Sequence, residues 1–110
     1  MAETSTDVLR GTLDLLILKV AATGPEHGWG LAQRIEQLSR DAFQIGQGSL
    51  YPALQRLEQK GWIDSEWRVT EQNRRARYYH LTASGRRALS AETASWRRYV
   101  ASVDLILNPA

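Results

Sequence analysis

Three arginines, Arg74, Arg75 and Arg77, crowd one short stretch between two segments that alternate in polarity. A guanidinium is planar, permanently charged and forked, a shape that fits phosphate oxygens better than an ammonium does. From Arg68 to Arg87 the chain carries six arginines against a single acid, Glu71, while acids gather upstream at Glu3, Asp7 and Asp14. Twelve of the fourteen basic residues are Arg, so the small net charge of +2 conceals a local basic cluster. A second set lies ahead of it: Gln47, Ser49, Tyr51, Pro52, Gln55 and Arg56. Side-chain amides and a guanidinium on an exposed helix face are groups that pair with base edges in a major groove. Either set alone reads as solvated surface. Together they point to double-stranded DNA.

Other chemistry finds little support. The two histidines, His27 and His80, fall on separate elements and cysteine is absent, so zinc ligation and Cys-His catalysis are set aside. Gly46-Gln-Gly48-Ser lacks both the spacing and the Lys of a phosphate-binding loop. Ser49 and Ser84 read as helix caps, not nucleophiles. No metal, cofactor or enzymatic activity is expected. The apolar run from Leu15 to Leu18 is far shorter than a membrane span and no basic segment precedes it as in a signal peptide. Without cysteine the chain suits a reducing cytoplasm. At 110 residues one domain is expected.

The elements that would position these groups follow from periodicity. A first helix should run from Thr6 or Asp7 to Ala22 and stop at Thr23-Gly24-Pro25. Its apolar residues Leu9, Leu13, Leu16, Ile17 and Val20, with Val8, Leu15 and Leu18 as a second edge, make a stripe wider than one core needs. The surplus suggests a second contact surface. A second helix begins after His27-Gly28, carries Leu31, Ile35 and Leu38 on one face, and ends near Ser39. After a connector over 40–48, Ser49 as N-cap would put Pro52 at the third helical position, where its missing amide proton costs nothing. Leu50, Leu54 and Leu57 then face the core. Pro52, Gln55 and Gln59 point away, flanked by Tyr51 and Arg56. This third helix ends at Gly61.

Strands are expected over Trp62–Trp67 and Arg77–Leu81, joined by a nine-residue tip, 68–76, of the length of a mobile wing. A last helix starts with Thr82 or Ser84 as N-cap and stops at Asn108-Pro109. Leu89, Thr93, Trp96, Val100, Val103 and Leu107 recur along it at heptad spacing. An intrachain core helix would show a similar stripe, but packing across a two-fold axis beside the first helix accommodates Trp96. The expected fold is therefore mainly α with a small β-hairpin. It is a winged helix-turn-helix over 7–81, followed by a C-terminal dimerisation helix over 82–108. Leu9, Leu13, Leu89, Trp96, Val100, Val103 and Leu107 are its candidate dimer contacts.

Four stretches give the chain a family resemblance. They are Arg10-Gly-Thr-Leu-Asp-Leu-Leu-Ile-Leu18, His27-Gly-Trp-Gly-Leu31, Gly48-Ser-Leu-Tyr-Pro-Ala-Leu-Gln-Arg-Leu-Glu-Gln-Lys-Gly61 and Arg77-Tyr-Tyr-His-Leu-Thr-Ala-Ser-Gly-Arg86. In this order and spacing they resemble the PadR family of transcriptional regulators, over nearly everything from Leu9 to Leu107. The resemblance implies a homodimeric winged-helix protein, usually a repressor, of the short type with a single C-terminal helix. By position, Ser49, Tyr51 and Pro52 open the recognition helix, Tyr51 touches a phosphate or base edge, and Arg74, Arg75 and Arg77 match the basic wing. Gly30, where relatives often carry an acid, and Trp29, where Tyr is more usual, are departures that concern the second helix and its packing. Some family members hold a planar aromatic effector between the first and last helices. Trp96 stands where it would serve that purpose or simply fill the dimer core. The competing functions are a winged-helix module that binds protein instead of DNA, and a small-molecule-carrying scaffold. Three arginines without local counterions favour DNA.

Overall fold

The wide apolar stripe of the first helix has a simple cause. In the computed structural model, which describes residues 6–109 and side chains from residue 11 onward, α1 (Thr6–Ala21) is a central post. It packs against α2 (Gly28–Leu38), α3 (Gln47–Gln59), strand β3 (Arg75–Leu81) and α4 (Ala83–Leu107). Leu13, Ile17, Leu18, Val20 and Ala21 are all buried in this one core, and a large apolar side chain so enclosed stabilises the fold by about 1.5–3 kcal/mol. The expected dimer contact at Leu13 is therefore corrected: at 1% exposure it belongs to the core of its own chain. Leu15 and Leu16 stay half-buried. Leu9 falls outside the residues whose side chains are described.

Each helix boundary has a local reason. His27 caps α2 by accepting the Gly30 amide proton at Nδ1, at 3.0 Å. Leu38, expected on the buried face of α2, is 67% exposed. There the chain leaves the helix through Arg40 and Asp41, both at positive φ, and buries Ile45 of the connector instead. The Ile45 amide donates to the Glu36 carboxylate at 2.9 Å. The third helix begins three residues before the expected point, with Gly46 and not Ser49 as N-cap. Ser49 is thus inside the helix, and Pro52 lies in its second turn, where it forgoes the bond to the Gly48 carbonyl. The Ser49 and Leu50 amides close the first turn on the Gly46 carbonyl, at 3.1 and 2.9 Å. At the other end Gly61 adopts φ 77°. Its amide bonds the Glu58 carbonyl and the Trp62 amide bonds that of Leu57, a paired C-terminal lock that only glycine enters without strain.

The sheet is antiparallel and three-stranded, in the order β1-β3-β2. Strand β1 (Glu26–His27) was not expected, since two residues carry no periodicity. Strands β2 (Ile63–Val69) and β3 pair from Ile63↔Leu81 out to Val69↔Arg75. The hairpin is therefore longer than expected and its tip shorter. Only residues 70–74 remain between the strands, closed by hydrogen bonds between Thr70 and Arg74 and between Asn73 and Thr70. Asn73 takes the left-handed conformation, φ 60°, as such turns require. Most of the outer residues are exposed, and the arginines among them, Arg68 and Arg75, read as part of the tip.

Helix α4 spans 25 residues, about 37 Å at helical rise. It accounts for much of the molecule's 57 Å long axis. Its base is tied to the α3–β2 turn: the Thr82 amide donates to Trp62 O, and the Thr82 and Ser84 hydroxyls donate to Gly61 O. Thr82 is the N-cap, accepting from the Gly85 amide. The heptad stripe divides. Leu89 packs on the core of its own chain, correcting its assignment to a dimer contact alone. Farther out, Trp96, Val100 and Leu107 are exposed and Val103 is half-buried. Among the described residues no helix is long and apolar enough to cross a membrane.

A Cβ at Gly85 would stand 1.9 Å from the Trp62 carbonyl oxygen, a backbone atom that cannot swing aside. Gly85→Ala should lower unfolding stability in urea by about 1–3 kcal/mol. Gly48→Ala, with open space at that position, should change it by less than about 1 kcal/mol. Equal midpoints for the two variants would contradict the close approach.

Candidate nucleic-acid interface

Helix α3 buries Leu50, Ala53, Leu54 and Leu57 and thereby turns the opposite face outward. Gln47, Tyr51, Pro52, Gln55 and Gln59 are exposed there, and Ser49 is half-buried. Two neighbours border this face. On one side is α1, reached by Arg56, whose Nη2 and Nε donate to the two Asp14 carboxylate oxygens at 2.8 and 3.4 Å. That contact holds the guanidinium more firmly protonated than usual: the hydrogen bond to Asp14 raises its pKa most, burial opposes this, and the charge of Asp14 adds to the rise. Arg56 is thus engaged in joining α3 to α1. Partly exposed, the pair is worth up to about 1 kcal/mol.

On the other side is the hairpin. The register sets Ile63, Ser65, Trp67 and Val69 beside Leu81, Tyr79, Arg77 and Arg75 on one face of the two-stranded ribbon. At the base of that face Ile63, Tyr79 and Leu81 are buried against the core. Burial raises the Tyr79 pKa, with nearby Arg77 pulling the other way, so the phenol stays neutral. Toward the tip the same face carries Trp67, 56% exposed, with the Arg75 and Arg77 guanidiniums 5.0 and 5.8 Å from its ring centre. Stacking of this kind contributes about 0.5–1 kcal/mol per pair at exposed sites.

The expectation of three arginines without counterions holds for two of them. Arg77 Nη2 lies 3.4 Å from Glu58 Oε2 of α3, and the adjacent Arg68 pairs with Glu66. Arg74 and Arg75 are exposed, and no carboxylate is paired with either among the described residues. Trp67, Glu58 and Ser65 were not anticipated in this region. Trp67 could have been found by continuing the two-residue alternation from Ile63. Glu58 could have been found as the helical neighbour of Tyr51, seven residues on.

Away from this surface, a groove of about 200 Å³ lies between α1 and α4, lined by Gly11, Thr12, Leu15, Glu92, Ser95, Trp96 and Tyr99. The Trp96 and Tyr99 rings are 5.9 Å apart. Trp96 is 41% exposed, so it is not a core side chain of this chain.

Residues 17–91 match the family model described as the transcriptional regulator PadR-like family. A transcriptional regulator of Mycobacterium tuberculosis is 41% identical over 83 residues, which span 76% of this chain and 74% of that protein. Among solved structures, a transcriptional regulator from Clostridium thermocellum superposes with a TM-score of 0.82 at 27% identity, covering 90% of this chain and 96% of its own. A PadR family regulator from Eggerthella lenta gives 0.79 at 30% identity, with 94% and 88% covered.

Proposed function

Because the chain belongs to the PadR-like family of transcriptional regulators, we propose that it binds specific double-stranded DNA as a homodimer in the cytoplasm and represses transcription. The observation that carries this reading is the outward polar face of α3 lying beside a hairpin tip whose Arg74 and Arg75 have no carboxylate partner among the described residues. Gln47, Ser49, Tyr51, Pro52 and Gln55 enter the major groove. Arg74 and Arg75 grip the flanking backbone or minor groove. No acidic side chain stands in the first turn of α3, which leaves the positive end of the helix dipole for a phosphate. Arg56, held by Asp14, serves to set the helix and not to read bases.

In this reading residues 7–81 bind DNA and 82–108 join the subunits. The uncovered apolar residues of α4 support the second part: Trp96, Tyr99, Val100 and Leu107 are exposed on one subunit. Two-fold pairing implies an inverted repeat with half-sites about 34 Å apart. The groove beside Trp96 and Tyr99 would accept a small planar aromatic effector that relieves repression, its rings stacking on theirs. A module that binds only protein would have no use for two unpaired arginines at the tip.

The probe for binding is the tightest 30-base-pair duplex that the protein selects from a random pool. Affinity should fall steeply with salt, since each neutralised phosphate releases counterions. Arg74→Ala with Arg75→Ala should weaken binding to all duplexes and flatten the slope of log affinity against log salt by about 2–4 units for a dimer. An unchanged slope would remove the hairpin from the interface. Val100→Glu should yield monomers in sedimentation equilibrium, because it buries a charge in the proposed seam. An intact dimer would place the seam elsewhere.

A further inference from the structure

The outer half of the hairpin has little apolar anchorage. Along β2 only Ile63 is buried, and along β3 only Tyr79 and Leu81. Something else must set its angle to α3, and one polar triangle spans the gap. Ser65 Oγ donates to Glu58 Oε2 at 2.7 Å. Arg77 Nε donates to the same Ser65 Oγ at 2.8 Å. Arg77 Nη2 closes the figure on Glu58 Oε2 at 3.4 Å. The three residues come from β2, β3 and α3, and the serine hydroxyl both gives and receives a hydrogen bond, as its single proton and lone pairs allow. Trp67 then stacks on Arg77, and Arg75 on Trp67. A continuous column, Glu58–Arg77–Trp67–Arg75, thus runs from the recognition helix toward the hairpin tip.

We propose that this triangle is a clamp fixing the hairpin at one angle to α3, and that Arg77 is a positioning residue instead of a phosphate contact. The inference rests on the DNA-binding reading above and refines it. Arg77 carries the right charge for phosphate but spends it on Glu58, while Arg74 and Arg75 remain uncommitted. A fixed angle matters where α3 and the tip must meet their own parts of one DNA site together. A free hairpin would have to be ordered on binding, at an entropic cost. Binding to arbitrary sequence needs charge and tolerates a range of angles. The clamp therefore acts on discrimination more than on adhesion.

The test uses two changes that keep the charge, Ser65→Ala and Arg77→Lys, and one that removes it, Arg77→Gln, each in the whole chain. Ser65→Ala removes the hub of the triangle. Arg77→Lys keeps the charge but loses the fork that reaches two partners at once. Both should lower the ratio of affinities for the selected duplex and a scrambled duplex by about three- to tenfold, the scale of a partly exposed polar contact. The salt slope should not change, nor should it in Arg77→Gln. Thermal midpoints should move little. In the DNA-free protein, amide hydrogen exchange across 65–69 and 75–78 should quicken in Ser65→Ala and Arg77→Lys.

An Arg77→Lys variant with the parental ratio, or an Arg77→Gln variant with a flattened slope, would overturn the proposal and return Arg77 to the phosphate contacts. Unchanged exchange would show that there is no clamp. If exchange quickens while the unaltered protein prefers no duplex, the DNA-binding reading has failed and the positioning role with it, although the clamp stands.

Discussion

Burial of Leu50, Leu54 and Leu57 against the central helix α1 is the constraint on which the other features depend. Three leucines on one side of α3 leave Tyr51, Gln55 and Gln59 no choice but the outside. The same core takes Ile63, Tyr79 and Leu81 from the base of the hairpin, which brings the ribbon alongside α3. It also takes Leu89, which seats the first turns of α4. Each fully buried leucine or isoleucine among them adds about 1.5–3 kcal/mol, while the polar contacts at the proposed interface add about 1 kcal/mol or less apiece. The core therefore decides where the elements lie, and the polar groups tune how they sit.

That division makes sense of the charges. Two of the arginines near α3 are spent inside the protein, Arg56 on Asp14 and Arg77 on Glu58. Two at the tip, Arg74 and Arg75, are not. Under the proposed reading, phosphate is attracted by the uncancelled charge of Arg74 and Arg75 at the edge, with the Arg77–Glu58 contact behind it. The hairpin tip and the first turn of α3 then offer positive potential at two ends of one polar face.

Much of this was legible in the sequence because periodicity reports burial directly. The ends of α1 and α2 fall where glycine, proline and the apolar spacing put them, and the outward residues of α3 follow from its three leucines. The errors have particular causes. The missing amide proton of Pro52 suggests a first-turn position, yet a helix tolerates losing one bond to a glycine carbonyl, and α3 starts at Gln47. The hairpin looks short in the sequence because the exposed arginines of its outer rungs, Arg68 and Arg75, read as tip. Leu13 looks free for a partner because the apolar stripe is wider than one core would need, whereas α1 touches four elements. The pairing of Arg77 with Glu58 lies 19 positions apart along the chain, and no local pattern could reveal it.

Hydroxyl-radical footprinting on the selected duplex tests the central claim most directly. The account predicts two protected patches on one face of the DNA, related by two-fold symmetry and separated by about one helical turn, ~34 Å. Flanking protection should disappear when Arg74 and Arg75 are replaced by alanine. Uniform cleavage along the duplex, or a single patch indifferent to those two arginines, would contradict it.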